Sequence, residues 1–174
     1  IALGVNLFRL PHRYKNKNLL FCVGIDGMLL KDSDRFKGFI PYKLNYLNRI
    51  GANVTLFTTR TPTTFMPILE DVKITHPVVC MSGAALYDTQ NQHYIAVESI
   101  DVETAKRVYA VLKKNRISPF VNQIHEDVLF TYNEHIDNEG ERIYALSKRN
   151  ASYCSYVPGP VPTDEVVYFL IVEK

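Results

Sequence analysis

Apolar and polar positions alternate along the first half of the chain in a pattern typical of strands and helices in turn. Residues 19–25 form an uninterrupted apolar run, which predicts a strand buried on both faces. Apolar residues then recur at helical spacing up to Gly51, which would cap the helix at its C-terminus. The residues of this predicted helical face are Ile40, Leu44, Leu47 and Ile50.

Two further strands and a second helix follow in the same half. Residues 53–57 and 77–81 are short apolar runs that predict strands. Between them, Thr61 and Pro62 predict the start of a helix with an apolar stripe as far as Val72, because Thr favours the N-cap and Pro the first helical position. Strands and helices that alternate with short connections indicate right-handed crossovers and a parallel sheet, and therefore an α/β fold.

The second half has a different order of elements. Asp101 is expected to cap a helix that ends near Arg116, and residues 138–150 could form another helix. Between the two helices, residues 119–124 and 128–132 are expected to form a hairpin about a turn at 125–127. Residues 153–163 are rich in Pro and Gly and are interpreted as a loop, and residues 166–172 as a final strand.

Polar residues follow the three predicted strands of the first half. Asp26, Thr58 and Ser82 each stand just beyond the end of a strand. In open α/β sheets, ligands bind beyond the carboxyl ends of the strands. These residues are therefore candidates for one binding site.

The end of the first strand resembles the first motif of the haloacid dehalogenase-like (HAD) phosphatases, in which a strand ends in Asp-x-Asp-Gly-Thr-Leu. Asp26, Gly27 and Leu29 match this motif. The nucleophilic Asp of the family falls on Gly24, and its Thr falls on Met28. The resemblance thus implies a phosphatase site that has lost its nucleophile.

Two later segments extend the resemblance toward the Cof-type branch of this superfamily. The Thr58-Thr59-Arg60 segment resembles the second motif, in which a hydroxyl binds the phosphoryl oxygen and Gly-Arg often follows. Residues 82–88 resemble the signature Asn-Gly-Ala-x-Ile-Tyr-Asp, with Ser82 in place of the Asn. The matching residues in this signature are Gly83, Ala84, Tyr87 and Asp88.

The resemblance implies a partial HAD-like core with a Rossmann-type parallel sheet, followed by the first part of an α/β cap. On this basis we expect an N-terminal connector over residues 1–18, the core over 19–98 and the cap over 99–174. In the family the cap closes over the core and selects the substrate. The Lys and the acidic loop that the family places after the cap are not found in this sequence.

The resemblance also assigns roles to the candidate residues. Asp26 takes the place of the family's acid–base residue and offers its backbone carbonyl to magnesium, whereas Gly24 can be neither nucleophile nor metal ligand. We therefore expect Mg²⁺, the cofactor of the family, to bind weakly or not at all. The expected phosphate-binding residues are Gly27, Thr58, Arg60, Ser82 and Gly83.

Each assignment has a structural alternative that the sequence leaves open. Asp26 and Gly27 could form a simple turn after the strand, and Ser82 with Gly83 another. Thr58 could cap the following segment, and Arg60 could form a surface salt bridge.

Two functions of different classes follow from this sequence. The first is a catalytically impaired homologue, a pseudophosphatase, that acts as an interaction or ligand-binding module. The alternative is a magnesium-dependent phosphatase of small phosphorylated metabolites, with the remaining catalytic motifs outside this chain. Gly24, Met28 and Ser82 all differ from the residues of the family motifs, which favours the pseudophosphatase.

Composition and charge limit the classes of partner that the sequence predicts. The net charge of +2 is too small to indicate binding to nucleic acid or to an anionic membrane. Cys22 and Cys80 lie in apolar runs and are expected to be buried thiols, and Cys154 has no close-spaced partner, which favours a cytoplasmic location. The sequence contains no evident signal peptide or membrane span.

The first strand itself predicts a partner. In the family, strands from later motifs lie beside it, so without them it would become the edge of the sheet. Because exposed edges promote aggregation, we expect a protein partner or a missing C-terminal segment to complete the sheet.

Overall fold

A computed structural model describes residues 18–30, 35–149, 151 and 154–172. The chain divides into two compact units, Ile1–Ala96 and Val97–Lys174. The sequence predicts a boundary between residues 98 and 99. The predicted connector at residues 1–18 lies outside the described residues except for Asn18.

The described part of the first unit contains one mixed sheet. Strands β1 to β3 are parallel to one another, as predicted, and β4 runs antiparallel to β3. The order across the sheet is β1-β2-β3-β4-β5. The strands are β1 (Leu20–Gly24), β2 (Asn53–Phe57), β3 (Val78–Cys80), β4 (Ala85–Asp88) and β5 (His93–Val97).

Two helices connect the parallel strands. Helix α1 (Ile40–Arg49) buries Leu44 and Leu47, and Gly51 follows it with a φ of +83°, the left-handed conformation expected after a helix. Helix α2 (Pro62–Phe65) is much shorter than predicted, because the chain continues as a 3₁₀ helix over Met66–Leu69. Pro67 lies in that segment and cannot donate the hydrogen bond that an α-helix requires.

The core of the first unit lies between this sheet and its helices. Ile25, Leu56 and Val78 are completely buried. Phe65 is also buried, and its ring meets the ring of Tyr87 edge to face at a centroid distance of 6.0 Å. Burial of such side chains contributes roughly 1.5–3 kcal/mol each, so these contacts hold the strand ends in place.

The exposure of β1 contradicts the prediction of a strand buried on both faces. The side chains of Leu20 and Phe21 are 53% and 41% exposed, and Cys22, expected to be buried, is exposed as well. The cause is that, among the described residues, β1 stands at the edge of the sheet and pairs only with β2. Cys80 is buried as predicted, and burial raises the pKa of its thiol to about 12.

The described part of the second unit contains a four-stranded sheet and two helices. Strand β6 pairs antiparallel with both β7 and β9, and β8 pairs parallel with β7. The order across the sheet is β8-β7-β6-β9. The elements are α3 (Val102–Lys114), β6 (Phe120–His125), β7 (Val128–Asn133), α4 (Glu139–Arg149), β8 (Cys154–Pro158) and β9 (Tyr168–Leu170).

Most predicted elements of the second unit are present, with one error. The Asp101 carboxylate accepts a hydrogen bond from the backbone N–H of Thr104 at 2.9 Å, which confirms the helix cap. The interpretation of residues 153–163 as a loop is wrong, because β8 lies within them. The Pro158 and Gly159 that suggested a loop stand only at the end of this strand.

The second unit has its own hydrophobic core. Ala105, Val121 and Val166 are fully buried against one another, with partly buried apolar side chains packed around them. In the part of the chain that the structure describes, no helix has the length and apolar character needed to cross a membrane.

Candidate functional site

The candidate site lies at the carboxyl ends of the parallel strands of the first unit. The β1–β2 ladder continues past the strand ends, with the Ile25 N–H donating to the Phe57 carbonyl at 2.9 Å. Beyond β2, the Thr58 N–H donates to the Val79 carbonyl at 3.0 Å. These bonds bring the residues that follow each strand to the same edge of the sheet, as the sequence predicts.

Asp26, Thr58 and Arg60 form one hydrogen-bonded cluster at this edge. The Thr58 hydroxyl donates to Asp26 Oδ2 at 2.6 Å, and Arg60 Nε donates to Asp26 Oδ1 at 2.7 Å. The backbone N–H of Arg60 donates to Thr58 Oγ1 at 3.1 Å. Both oxygens of the carboxylate are therefore engaged, one by a hydroxyl and one by a guanidinium.

This cluster keeps Asp26 ionised. Burial by itself would raise the pKa of the carboxyl, but hydrogen bonds from Thr58 and Arg60, together with the guanidinium charge, outweigh it. The pKa of Asp26 therefore lies below its ordinary value. A carboxyl group with a low pKa is a poor proton donor near neutral pH, so it is unsuited to protonate a leaving group.

Gly27 shapes the turn that carries Asp26. Its φ is +73°, a conformation that side chains disfavour, and the backbone N–H groups of Leu29 and Leu30 both donate to the Ile25 carbonyl. Gly27 is not among the residues that line the neighbouring cleft. Its observed position fits the turn alternative, and phosphate binding at Gly27 stays a prediction.

A cleft of about 370 Å³ opens beside the cluster. It includes the predicted site residues Asp26, Thr58, Ser82 and Gly83, but not Arg60, which contacts Asp26 from outside the lining. Three of its residues were not singled out as ligand contacts from the sequence: Phe57, Thr59 and Val79.

The turn after β3 forms one wall of this cleft in a strained conformation. Met81, Ser82 and Gly83 have φ values of 52°, 58° and 99°, so two non-glycine residues in succession lie in the left-handed region. The Met81 N–H donates to the Arg60 carbonyl at 3.1 Å, and the Ser82 N–H donates to the Thr58 carbonyl at 3.3 Å. These two bonds tie the turn to the segment after β2.

Gly24, which the motif resemblance places at the position of the family's nucleophile, is directly opposite Phe57 in the β1–β2 ladder. A Cβ placed on Gly24 would stand 3.0 Å from Phe57 Cζ and 3.1 Å from Met28 Sδ, closer than ordinary van der Waals contact. Gly24 does not adopt a positive φ, so its backbone would accept another residue. The obstacle to a side chain is the space that Phe57 and Met28 occupy.

The residues at this edge do not fit a magnesium site. Gly24 offers no ligand, and the Asp26 carboxylate is already bound by the positively charged Arg60 at 2.7 Å. Across the described ranges, no group of three or more His, Cys, Asp or Glu residues is arranged to hold a metal ion. Magnesium prefers near-octahedral oxygen ligands with carboxylate help, and this donor set is too small.

The sequence profile of the haloacid dehalogenase-like hydrolases matches residues 21–158. A comparison with curated proteins finds no match.

Solved structures of HAD proteins are similar in fold. The phosphatase BT1666 from Bacteroides thetaiotaomicron is 14% identical with a TM-score of 0.57, over 85% of this chain and 52% of its own. TM0651 from Thermotoga maritima is 23% identical with a TM-score of 0.56, over 79% of this chain and 48% of its own. The subclass IIB sugar phosphatase BT4131 is 18% identical with a TM-score of 0.61, over 84% of this chain and 55% of its own.

These likenesses concern the fold, and they confirm the predicted α/β architecture with a Rossmann-type core. The chain spans about half the length of the solved structures that it matches.

Proposed function

The chain belongs to the haloacid dehalogenase-like hydrolases, and we propose that it is a catalytically impaired member that binds a ligand or partner. The observation that carries this proposal is Gly24. It stands two residues before Asp26, where the family has its nucleophilic Asp, and Phe57 and Met28 fill the adjoining space.

Covalent phosphoryl transfer in this family needs a carboxylate that attacks phosphorus. Gly24 has no side chain, so the attack has no nucleophile there. Asp26 does not replace it, because its two oxygens are engaged by Thr58 and Arg60. Attack from Asp26 would require breaking the ion pair with Arg60, which itself stabilises the ionised carboxylate.

Magnesium binding is part of the same proposal. The family is generally magnesium-dependent. We propose that Mg²⁺ binds this chain weakly or not at all, because Gly24 supplies no carboxylate and the resemblance leaves only the backbone carbonyl of Asp26 as a ligand. The loss of the nucleophile and the poor donor set support the same conclusion.

A magnesium-dependent phosphatase with further motifs outside this chain is the second candidate. The contact between Asp26, Thr58 and Arg60 at the strand ends favours it, because these residues match family motifs. The chain's coverage of about half of each matched structure leaves room for such motifs. The absent carboxylate at Gly24 weighs against it.

The test is magnesium-dependent hydrolysis of p-nitrophenyl phosphate by the full chain, compared with Asp26→Asn and with Glu98→Gln. Glu98 is an exposed carboxylate that does not line the cleft, so it controls for the change of charge. We expect no hydrolysis above the buffer rate from any of the three. Turnover that disappears in Asp26→Asn but persists in Glu98→Gln would refute the proposal and support the second candidate.

Exposed apolar side chains on β1 support an interaction role. Leu20 and Phe21 are about half exposed, and among the described residues β1 pairs only with β2. We propose that a strand from a partner protein, or from further sequence of the same protein, pairs here. The free thiols of Cys22, Cys80 and Cys154 support a cytoplasmic location, and the small net charge argues against nucleic acid or membrane partners.

A further inference from the structure

A second cleft, of about 690 Å³, lies within the second unit. Its volume falls in the usual range for small-molecule pockets. Residues that end α3 and residues that begin α4 line this second-unit cleft, among them Arg116, Ser118, Asn138 and Glu141. Arg116 and Glu141 depart from the usual rules for helix ends and for buried charges.

Arg116 follows α3 in a conformation that favours glycine. The Ile117 N–H donates to the Leu112 carbonyl and the Arg116 N–H to the Lys113 carbonyl, both at 3.0 Å, which is the Schellman arrangement of a helix end. Arg116 takes the left-handed position of this arrangement with a φ of +59°, where Gly is usual and a side chain is disfavoured. The helix end therefore accepts a strained arginine beside the cleft.

Glu141 is a buried carboxylate in the first turn of α4. Only 6% of this residue is exposed, although it lines the cleft. Its Oε2 accepts the Asp137 N–H at 2.6 Å, in the manner of a capping glutamate, but no described residue donates to Oε1 or pairs with its charge. Oε1 is not sealed from solvent, so it reaches the surface of the cleft. Buried carboxylates are usually paired, and the capping bond uses one oxygen only.

Lys113 is the other cation with a long side chain in the lining, and its charge is already compensated. Its ammonium donates to the carboxylate of Glu134, which does not line the cleft. His135 also lines the cleft, and its Nε2 lies 3.8 Å from the same carboxylate. Arg116 is therefore the cation of the lining that keeps its charge for a ligand.

The second-unit cleft presents uncompensated charges of both signs. Among the described residues, Arg116 forms no ion pair with Asp137 or Glu141, although all three line the cleft. A ligand with one negative charge would be repelled by the carboxylates, and a ligand with one positive charge would be repelled by the guanidinium. A ligand that carries both charges would be attracted by both groups.

Apolar side chains complete the lining. Ile117, Ile171 and Val172 contribute aliphatic surface, and Ile171 is 45% exposed. An aliphatic group on the ligand would remove part of this surface from water, which is favourable.

We propose that the second-unit cleft binds a small aliphatic zwitterion, the chemistry of a free aliphatic amino acid. The carboxylate of the ligand pairs with Arg116, its ammonium with Glu141, and its aliphatic group packs against Ile171. This inference does not depend on the proposed loss of phosphoryl transfer, because every lining residue belongs to the second unit.

The test titrates the full chain with leucine at neutral pH, measured by calorimetry and by backbone amide NMR. Isopentylammonium and isocaproate carry the same branched chain with only the ammonium or only the carboxylate. We expect leucine to bind with a Kd near or below about 1 mM, and at least about tenfold more tightly than either single-charge probe. The amide signals of Ser118, Asn138 and Glu141 should shift.

Two variants separate the contributions of the two charges. Arg116→Gly should raise the Kd for leucine about tenfold and weaken isocaproate, yet raise the urea concentration at the midpoint of unfolding, because Gly favours the left-handed position. Glu141→Gln keeps an oxygen for the Asp137 N–H, and it should raise the Kd for leucine about tenfold and weaken isopentylammonium.

Matched controls come from α3. Glu103→Gln and Arg107→Gln each remove one exposed charge outside the cleft, and both should leave the Kd for leucine unchanged. The amide shifts of the unmodified chain keep the test decisive if a variant fails to fold.

Four results would overturn the inference. They are a single-charge probe that binds as tightly as leucine, no shift of the cleft amides with leucine at millimolar concentration, an unchanged Kd for leucine in Arg116→Gly, and a lower urea midpoint in that variant. The last would show that the arginine stabilises the fold. None of them involves hydrolysis of p-nitrophenyl phosphate, so the inference can fail while the proposed function stands.

Discussion

Phe57 occupies the space beside Gly24 that a nucleophilic side chain would need. The two residues are partners in the β1–β2 ladder, and Phe57 Cζ stands 3.0 Å from the position of a Cβ on Gly24. Met28 Sδ closes the same space at 3.1 Å. Apolar side chains thus pack where the motif resemblance places the family's carboxylate.

This contact predicts that Gly24 and Phe57 are energetically coupled. Gly24→Ala should lower the free energy of unfolding by less than about 1 kcal/mol, because the half-exposed Phe57 and Met28 side chains must each shift by a few tenths of an ångström, which offsets the entropic benefit of alanine. In a Phe57→Leu background the cost should fall by at least about 0.5 kcal/mol. Urea unfolding of the two single variants and the double variant measures this coupling.

The control for this cycle is Phe169→Leu, in β9 of the second unit. Its effect should add to that of Gly24→Ala. If Gly24→Ala changes the free energy of unfolding by the same amount in the Phe57 and Phe57→Leu backgrounds, the Phe57 ring does not oppose a side chain at Gly24.

Restoring the carboxylate should not restore catalysis. Gly24→Asp places a side chain against Phe57 and Met28 and adds one carboxylate to a site that still lacks the donors for magnesium. Met28→Thr, which returns the family's residue, would remove one of the two obstacles. We expect neither Gly24→Asp nor the double variant to hydrolyse p-nitrophenyl phosphate, and magnesium-dependent turnover by either would contradict this explanation.

The pH dependence of the Asp26 cluster has a definite sign. Because the pKa of Asp26 is lowered in the folded chain, its contribution to stability is present above the unfolded value of about 3.9 and is lost as the pH falls through the folded pKa. Asp26→Asn should therefore cost more stability near pH 7 than at the acid end. For a pair this exposed, the cost should be about 1 kcal/mol or less.

An NMR titration of the Asp26 carboxyl carbon measures this pKa directly. The midpoint should lie below that of an unperturbed aspartate, and it should rise in Arg60→Gln, which removes the guanidinium. A midpoint above the ordinary value would mean that burial dominates and that the ion pair is weak in solution.

The exposed edge of β1 predicts association. A chain of 20.0 kDa should show a concentration-dependent mass above that of one copy in sedimentation equilibrium, because β1 presents exposed apolar side chains. Phe21→Lys should reduce this association. Val111→Lys, which changes an exposed apolar residue on α3, should not. A monomer at all concentrations, with or without Phe21→Lys, would refute the idea of a strand-pairing edge in this chain.

The sequence predicts the strand ends better than the packing around them. Asp26 and Thr58 could be placed together because each follows a predicted parallel strand, and such strands end at one edge. Phe57 could not be assigned to the site, because its role depends on its position opposite Gly24 across the ladder. A prediction of the β1–β2 register would have placed Gly24 opposite Phe57. A glycine opposite an aromatic ring is the signal that could have identified this contact.

The missed strands have a similar explanation. Strand β4 lies within the motif at residues 82–88, where Ala85 and Tyr87 are buried in alternation with the period of a strand. Pro158 and Gly159 favour a loop in the sequence, but they stand only at the end of strand β8. Exposure of β1 depends on which strand lies beside it, which is a property of the whole sheet and not of residues 19–25.

The most direct test of the central claim is a search for a phosphorylated form of the chain. The protein is incubated with p-nitrophenyl phosphate and magnesium, quenched in acid and measured by intact mass spectrometry. We predict the unmodified mass of 20.0 kDa, because Gly24 offers no carboxylate to accept the phosphoryl group. A mass increased by one phosphoryl group would show that another residue performs the attack, and the chain would then be an active phosphotransferase.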